Sequence, residues 1–148
     1  MVSIEVLRSL PCFAGVSGES LKAVAAIAEE RDFKAGQTLW KEGDDVRWLY
    51  IVRQGEIDII YDLQGGKQCV VDTVVGGEMT GWSAVVEPYR HTATCVARQP
   101  GRALCIQAAD IRKLCDKDPQ LGYHLLMQVA RTLSNRLQGA RLQLAATT

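Results

Sequence analysis

The chain has 148 residues, of which 47% are apolar and 23% are charged, a balance typical of one globular domain with a substantial core. Lysine plus arginine and aspartate plus glutamate number 17 each, so no net charge would attract nucleic acid or an anionic membrane. The N-terminus has no signal-peptide pattern, and no apolar run is long enough to span a bilayer.

Two helices are predicted before the first strand. Residues 3–9 are apolar on one face and are followed by Pro11, which ends the helix. Ser17 is a candidate N-cap for a second helix, whose apolar residues recur at helical spacing over residues 20–30. We therefore assign the N-terminal helices to about residues 3–30.

Beyond Gly36 the apolar period changes to two, which is typical of half-buried strands. Gly65-Gly66 is the strongest hairpin signal, and Pro100-Gly101 indicates a turn that joins the last two strands into a pair. Short strands with regular turns favour a small barrel or roll. The expected strands are 37–40, 46–52, 57–61, 68–75, 91–97 and 102–106.

Helical spacing returns at about residues 108–145. A short helix is expected at 108–115, and Asp118-Pro119 begins a long one, with aspartate as the cap and proline at the first helical position. We expect its first half to pack on the roll and its second half to pair with a second copy, because the apolar seam outlasts a small roll. The seam comprises Leu126, Val129, Leu133, Leu137, Ala140 and Leu144, and the last four are the expected dimer contacts.

The stretch 74–95 departs from the strand pattern. Gly76 and Gly77 interrupt the strand, and Gly81 precedes a short apolar run. A glycine followed by a helix N-terminus leaves backbone N–H groups that favour an anion. A returning cation such as Arg90 would complete a phosphate pocket. The alternative is a loop with one helical turn between two strands.

The five cysteines form no Cys-x-x-Cys pair, and the chain has only two histidines. Zinc and iron sites need clustered His, Cys or carboxylate ligands, so we expect neither a metal site nor a metal-dependent enzyme. Free thiols in strand-like runs behave as small apolar side chains. A reducing cytoplasm is the expected compartment.

Four further stretches carry a resemblance that covers nearly the whole chain: Phe33-Lys-Ala-Gly-Gln-Thr-Leu39, Glu42-Gly43-Asp44, Leu49-Tyr-Ile-Val52 and Gly55-Glu-Ile-Asp58. In order and spacing they resemble the structural signature of the cyclic nucleotide-binding domain, as found in catabolite-activator-type regulators and kinase regulatory subunits. The resemblance implies a mainly β fold with flanking helices. Its centre would be an eight-stranded antiparallel β-roll of the double-stranded β-helix or jelly-roll type, at about residues 32–107. Residues 1–148 would then form a single domain.

The family's ligand site is a phosphate-binding cassette, usually Phe-Gly-Glu-Leu-Ala followed by Pro-Arg-Thr-Ala. Aligned without gaps, the cassette glycine falls on Gly81 and its closing residues on 92–94. The glutamate that would hold the ribose 2′-hydroxyl falls on Trp82, which has one N–H donor and no carboxylate. The arginine that would pair the phosphate falls on His91, which lacks the planar fork of a guanidinium.

Two residues could replace the missing groups. Arg90 could supply a guanidinium if the preceding turn is one residue tighter, although a one-residue shift reverses the face of a strand side chain. Glu78 could be the cassette carboxylate if the loop is longer, and Trp82 could instead be a plug that fills the ligand space. The candidate ligand contacts are Gly81, Trp82, Ser83, Ala84, Val85, Arg90, His91 and Thr92, with the amides of 83–85 open to an anion.

Two functions follow from this resemblance. The first is an effector-sensing module that binds a cyclic nucleotide or another small anion, with no other cofactor and no catalysis. The second is a dimeric interaction module whose degenerate pocket binds no nucleotide. The family's regulators carry a helix-turn-helix after the long helix. Because the chain ends at Thr148, we expect no DNA-binding domain in it and an output through an unidentified effector protein.

Overall fold

The computed structural model describes residues 2–147, which contain eight strands in two four-stranded antiparallel sheets. The strands are β1 (Ala28–Phe33), β2 (Thr38–Trp40), β3 (Trp48–Gln54), β4 (Ile57–Asp62), β5 (Gln68–Val74), β6 (Met79–Thr80), β7 (Thr94–Ala97) and β8 (Gly101–Gln107). One sheet has the order β1-β8-β3-β6 and the other the order β2-β7-β4-β5. The predicted eight-stranded roll is confirmed.

Helices precede and follow the roll along the chain. The α-helices are α1 (Ile4–Arg8), α2 (Gly18–Ile27), α3 (Ala108–Lys117) and α4 (Pro119–Ala146), and 3₁₀ turns lie at Pro11–Phe13, Gln64–Gly66 and Trp82–Ala84. The Ser17 hydroxyl caps α2 by accepting from the Ser20 N–H at 3.2 Å, as predicted. Within residues 2–147, no helix combines the length and the apolar character that crossing a membrane requires.

The N-terminal helical region ends earlier than predicted. α2 stops at Ile27, and β1 follows at once and pairs along its whole length with β8, so the roll begins at residue 28 rather than at about 32. Helical spacing up to residue 30 describes only local preference, whereas pairing with a distant strand decides the conformation. Glu30 of β1 also forms ion pairs with Arg102 of β8 and with Arg53 of β3, the next strand beyond β8.

The last two strands do not pair with each other, which corrects a second expectation. β7 lies between β2 and β4, and β8 lies between β1 and β3 in the other sheet. The turn signal at Pro100-Gly101 marks a chain reversal but carries no information on which sheet the next strand joins. A Cβ on Gly101 would lie 2.0 Å from the Gln54 carbonyl oxygen, so glycine allows β8 to begin against the end of β3. By contrast, the β4–β5 hairpin across Gly65 is confirmed.

The alternation of β3 divides the interior into two apolar clusters. Leu49 and Ile51 join the cluster between the roll and the helices, whereas Tyr50 and Val52 join the cluster between the two sheets. Successive strand residues face opposite sides of a sheet. One face of β3 therefore packs against the helices, and its other face packs against the opposite sheet.

α4 packs against this core only along its first part. Leu121, Leu125 and Val129 are buried, at the i, i+4, i+8 spacing of one helix face. The Asp118 carboxylate caps the helix by accepting from the Leu121 N–H at 3.2 Å, and it also accepts from the Ser20 hydroxyl of α2. The later part of α4 is mostly exposed.

His91 is part of the interior rather than of the surface. It is 7% exposed, and its ring stacks on Trp40 with centroids 4.1 Å apart and planes 9° from parallel. Burial lowers the pKa of His91 from 6.5 to about 4, against a smaller opposing effect of the Asp44 carboxylate. The imidazole is therefore neutral near pH 7.

We expect the folded state to lose stability as pH falls from 6.5 towards 4. In that window the unfolded chain binds a proton at His91 and the folded chain does not, so a stabilisation that is complete above pH 6.5 is lost. His91→Phe keeps an aromatic ring on Trp40 and removes the titration. Urea unfolding at pH 7 and pH 4.5 should show wild type losing roughly 2 kcal/mol relative to the variant. An unchanged difference would contradict a buried, neutral His91.

Candidate functional site

The cassette-like segment begins at Gly81, directly after β6. Gly81 has a φ of +76°, and a Cβ at this position would lie 2.9 Å from the carbonyl oxygen of Trp48. Both the left-handed conformation and the close approach require glycine. The 3₁₀ turn Trp82–Ala84 follows. The segment thus has the short helical turn expected from the sequence.

Two backbone N–H groups that were expected to be open to an anion form hydrogen bonds within the turn. The Ala84 N–H donates to the Gly81 carbonyl at 2.9 Å, and the Val85 N–H donates to the Trp82 carbonyl at 3.1 Å. Bonds of this i to i+3 kind close a 3₁₀ turn on itself. The amides of Ala84 and Val85 are therefore not open to a ligand, contrary to that expectation.

Arg112 of α3 holds the segment in place, a role that the sequence analysis missed. One of its guanidinium nitrogens, Nη1, donates to the Ala84 carbonyl at 2.8 Å. The guanidinium carbon also lies 4.2 Å from the ring centroid of Tyr89, a cation–π distance. Only the position of Arg112 on the exposed side of an amphipathic helix was visible in the sequence, and that position suits a solvated charge equally well.

The two residues expected to pair with a phosphate have side chains that contact other parts of the roll. Arg90 is exposed, and its Nε lies 3.6 Å from the Asp45 carboxylate. The backbone N–H of His91 donates to the Asp44 carbonyl at 2.9 Å, and its ring stacks on Trp40. Backbone pairing with the 43–46 segment sets both orientations. The structure therefore does not bring Arg90 and His91 together with Trp82.

A cavity of about 820 Å³ lies between the cassette-like segment, the β4–β5 hairpin and the second half of α4. From the candidate residues it includes Trp82, Thr92 and Glu78, while Gly81, Ser83, Ala84 and Val85 build the turn beside it. Its volume is in the range of small-molecule sites. The residues that α4 contributes are Gln128, Arg131, Thr132, Leu133, Asn135, Arg136, Gly139, Ala140 and Gln143.

The cations of this cavity come from α4. Among its described lining residues they are Arg131 and Arg136, and Arg136 Nε lies 2.6 Å from the Asp72 carboxylate of β5. On the roll side, Glu78 Oε1 accepts from the Val75 N–H at 2.9 Å. The cavity therefore carries positive charge on the helix and carboxylates on the roll.

The sequence carries a signal for these arginines in the polar positions of α4. The polar lining positions of α4 recur at helical spacing from Gln128 through Asn135 to Gln143, which describes one polar stripe on the helix. Arg131 and Arg136 lie off the apolar seam of the helix. A stripe of polar residues that faces the roll indicates a solvated cavity rather than a packed interface.

A second cavity, of about 540 Å³, is lined by Trp40 and His91, which do not line the larger one. Trp48 and Tyr50 also line it, and the guanidinium carbon of Arg31 lies 4.0 Å from the Trp48 ring centroid. Burial raises the pKa of Tyr50 to about 12, so its hydroxyl is protonated. This is where the structure places His91.

Two observations concern metal ligands and the thiol beside the larger cavity. Residues 2–147 contain no group of three or more His, Cys, Asp or Glu side chains that could hold a metal ion. Burial raises the pKa of Cys12, beside the larger cavity, to about 12. A protonated thiol is neither a nucleophile nor a metal ligand.

The chain is similar to known proteins over most of its length. The family model of the cyclic nucleotide-binding domain matches residues 30–118. A Geobacter metallireducens GS-15 protein named for cyclic nucleotide binding has a crystal structure that superposes with a TM-score of 0.84, at 31% identity, over 93% of this chain and 99% of that one.

Two curated relatives are transcriptional regulators or receptors by name. The chain is 23% identical to the cyclic AMP receptor protein of Thermus thermophilus over 93% of its length, and 24% identical to a CRP-like cAMP-activated global transcriptional regulator of Mycobacterium tuberculosis over 87%. It spans 62% and 58% of the lengths of these relatives. Since the matched region includes the roll, the cassette-like segment and α3, the chain belongs to the cyclic nucleotide-binding domain family.

Proposed function

We propose that this chain is a regulatory module that binds a small anionic effector, with cyclic nucleotides as the first candidates, and that it performs no catalysis. The observation that carries the proposal is the cavity of about 820 Å³ between the cassette-like segment and α4. It combines an indole, Trp82, with hydroxyl and carboxylate acceptors and with guanidinium groups. Apolar surface with a few placed polar groups is the usual composition of a ligand site.

The ribose contact would come from Glu78 rather than from residue 82. Trp82 offers no carboxylate, but Glu78 lines the same cavity. One of its oxygens already accepts the Val75 N–H, and a carboxylate can accept more than one hydrogen bond. This supports Glu78 as the alternative carboxylate, with Trp82 as an aromatic surface beside the ligand. Without a cassette arginine in the cavity, we expect cyclic nucleotides to bind more weakly than about 1 µM.

We expect Gly139→Leu to weaken effector binding strongly by placing an isobutyl group inside the cavity. Gly139 lines the cavity, and a Cβ there meets nothing within 4 Å, so the variant should fold and its helix should gain stability. Titration calorimetry with cyclic AMP and cyclic GMP measures the loss.

The matched control is Gln138→Leu, which adds the same side chain to the exposed neighbouring position outside the cavity lining. Arg90→Ala is a second control, because Arg90 pairs with Asp45 and lies outside the cavity. Both should bind as wild type does. Binding that survives Gly139→Leu, or that fails in Arg90→Ala, would move the site elsewhere.

We further propose that the chain forms a homodimer through α4. The seam residues Leu137 and Leu144 are 52% and 66% exposed, and with Leu126, Leu133 and Ala140 they follow a heptad spacing. A second copy presents the same seam, so a two-fold axis along the helix would cover both. Leu133 and Ala140 of this seam also line the cavity. Ligand binding would therefore act on the helix that joins the copies.

We expect Leu137→Glu with Leu144→Glu to yield a monomer in sedimentation velocity, because both charges would lie in the apolar seam. Leu142→Glu is the control: this side chain is also 66% exposed but lies off the seam, so that variant should remain dimeric. A wild type that sediments as a monomer at tens of micromolar, roughly the range of a weak specific contact, would contradict the proposal.

The output and the compartment belong to the same proposal. A module that senses an effector without catalysis acts through another chain, an effector protein that the sequence does not identify. Cys69 is an exposed free thiol, and such a thiol persists best under reducing conditions. The cytoplasm is the compartment that we propose.

A further inference from the structure

The charges of the larger cavity are distributed in a way that the family's cassette does not predict. The resemblance placed the phosphate-pairing arginine on the roll, next to the cassette turn. In the structure, the roll side of the cavity carries the carboxylates Asp72 and Glu78, and the lining cations Arg131 and Arg136 stand opposite on α4. An anionic group placed at the cassette turn would have no cation to pair with among the roll-side lining residues.

Arg131 and Arg136 differ in their availability to a ligand. Arg136 is engaged with Asp72 at 2.6 Å, and its guanidinium links α4 to β5. Arg131 is exposed and, among residues 2–147, has no ion-pair partner. A guanidinium can grip a phosphate with two parallel N–H donors. Of the two lining arginines, Arg131 is therefore the one that can bind an anion without breaking an existing ion pair.

The roll side offers groups that suit the uncharged part of a nucleotide. Trp82 is half-buried at the cavity, and an indole face stacks on a nucleobase. Glu78 and the exposed Thr92 hydroxyl can hydrogen-bond to sugar hydroxyls. These groups suit a ring and hydroxyls, and none of them carries the positive charge that pairs with a phosphate.

We infer that the ligand binds in the reverse of the family's orientation, with its anionic group on Arg131 of α4 and its nucleoside on Trp82 and Glu78. The inference rests on the proposed function and deepens it. The ligand class that fits is a nucleoside 5′-monophosphate, whose phosphate extends from the sugar and carries close to two negative charges with three acceptor oxygens. A cyclic phosphate is fused to the sugar, so a sugar on Glu78 would hold that charge near the carboxylate.

Calorimetric titration of the full chain with three probes tests this inference. 5′-AMP carries a terminal phosphate, cyclic 3′,5′-AMP carries a fused one, and adenosine carries none. We expect 5′-AMP to bind more tightly than both of the others. Arg131→Gln should weaken 5′-AMP binding by roughly ten- to a hundredfold, the usual loss for one charge-assisted hydrogen-bonding group. It should leave adenosine binding unchanged.

Arg141→Gln is the matched control, because Arg141 is an exposed arginine on the same helix outside the cavity lining. It removes the same charge and should leave the affinity for 5′-AMP within about twofold of wild type. Equal melting temperatures of the two variants would show that neither perturbs the fold. A loss in Arg131→Gln alone supports direct contact, whereas equal losses in both variants would reduce the effect to general electrostatics and overturn the inference.

The failure of this inference differs from the failure of the proposed function. Cyclic AMP binding that exceeds 5′-AMP binding and ignores Arg131→Gln would overturn the reversed orientation and leave the effector module standing. Binding of 5′-AMP that is unaffected by Arg131→Gln would also overturn it. If none of the three probes binds at millimolar concentration, the nucleotide form of the proposed function fails, and the inference fails with it.

Discussion

The structure depends on how the first turns of α4 are anchored to the core, because the later part of the helix is mostly exposed. The Asp118 carboxylate caps α4 and accepts a hydrogen bond from the Ser20 hydroxyl of α2. That hydrogen bond holds the pKa of Asp118 below its usual range. Leu121 and Leu125 then bury the first turns. α4 continues as one helix to Ala146. The packing of its first turns therefore fixes the direction of the whole helix and places its second half beside the roll. The larger cavity is the space left between that half and the roll.

The fold was largely predictable because its signals are local. Changes of apolar period, the Gly65 hairpin and the Asp118 cap each act within a few residues, and the structure confirms the elements that they predict. The two errors concern pairing between distant residues. The first three residues of β1 were assigned to a helix because its ladder partner, β8, lies far along the chain. The last two strands were paired because a turn signal does not specify a sheet.

The candidate site was only half predictable, for a related reason. Gly81 was recognisable because its φ of +76° and its contact with the Trp48 carbonyl require glycine. The positions of Arg90 and His91 depend on backbone pairing with the 43–46 segment. A gapless alignment contains no information about that pairing. Arg131 became a candidate only after the helix was placed over the cavity. A family motif thus located the segment, but the charges around it had to be taken from three-dimensional contacts.

Hydrogen–deuterium exchange with and without bound nucleotide tests the central claim, that the ligand lies between the roll and α4. The nucleotide would be the tightest binder found by calorimetry among cyclic AMP, cyclic GMP and 5′-AMP. We expect slower exchange at residues 77–82 and 128–143, which face each other across the larger cavity, and no change at residues 37–50 beside the second cavity. Protection confined to residues 37–50, with α4 unchanged, would contradict the account.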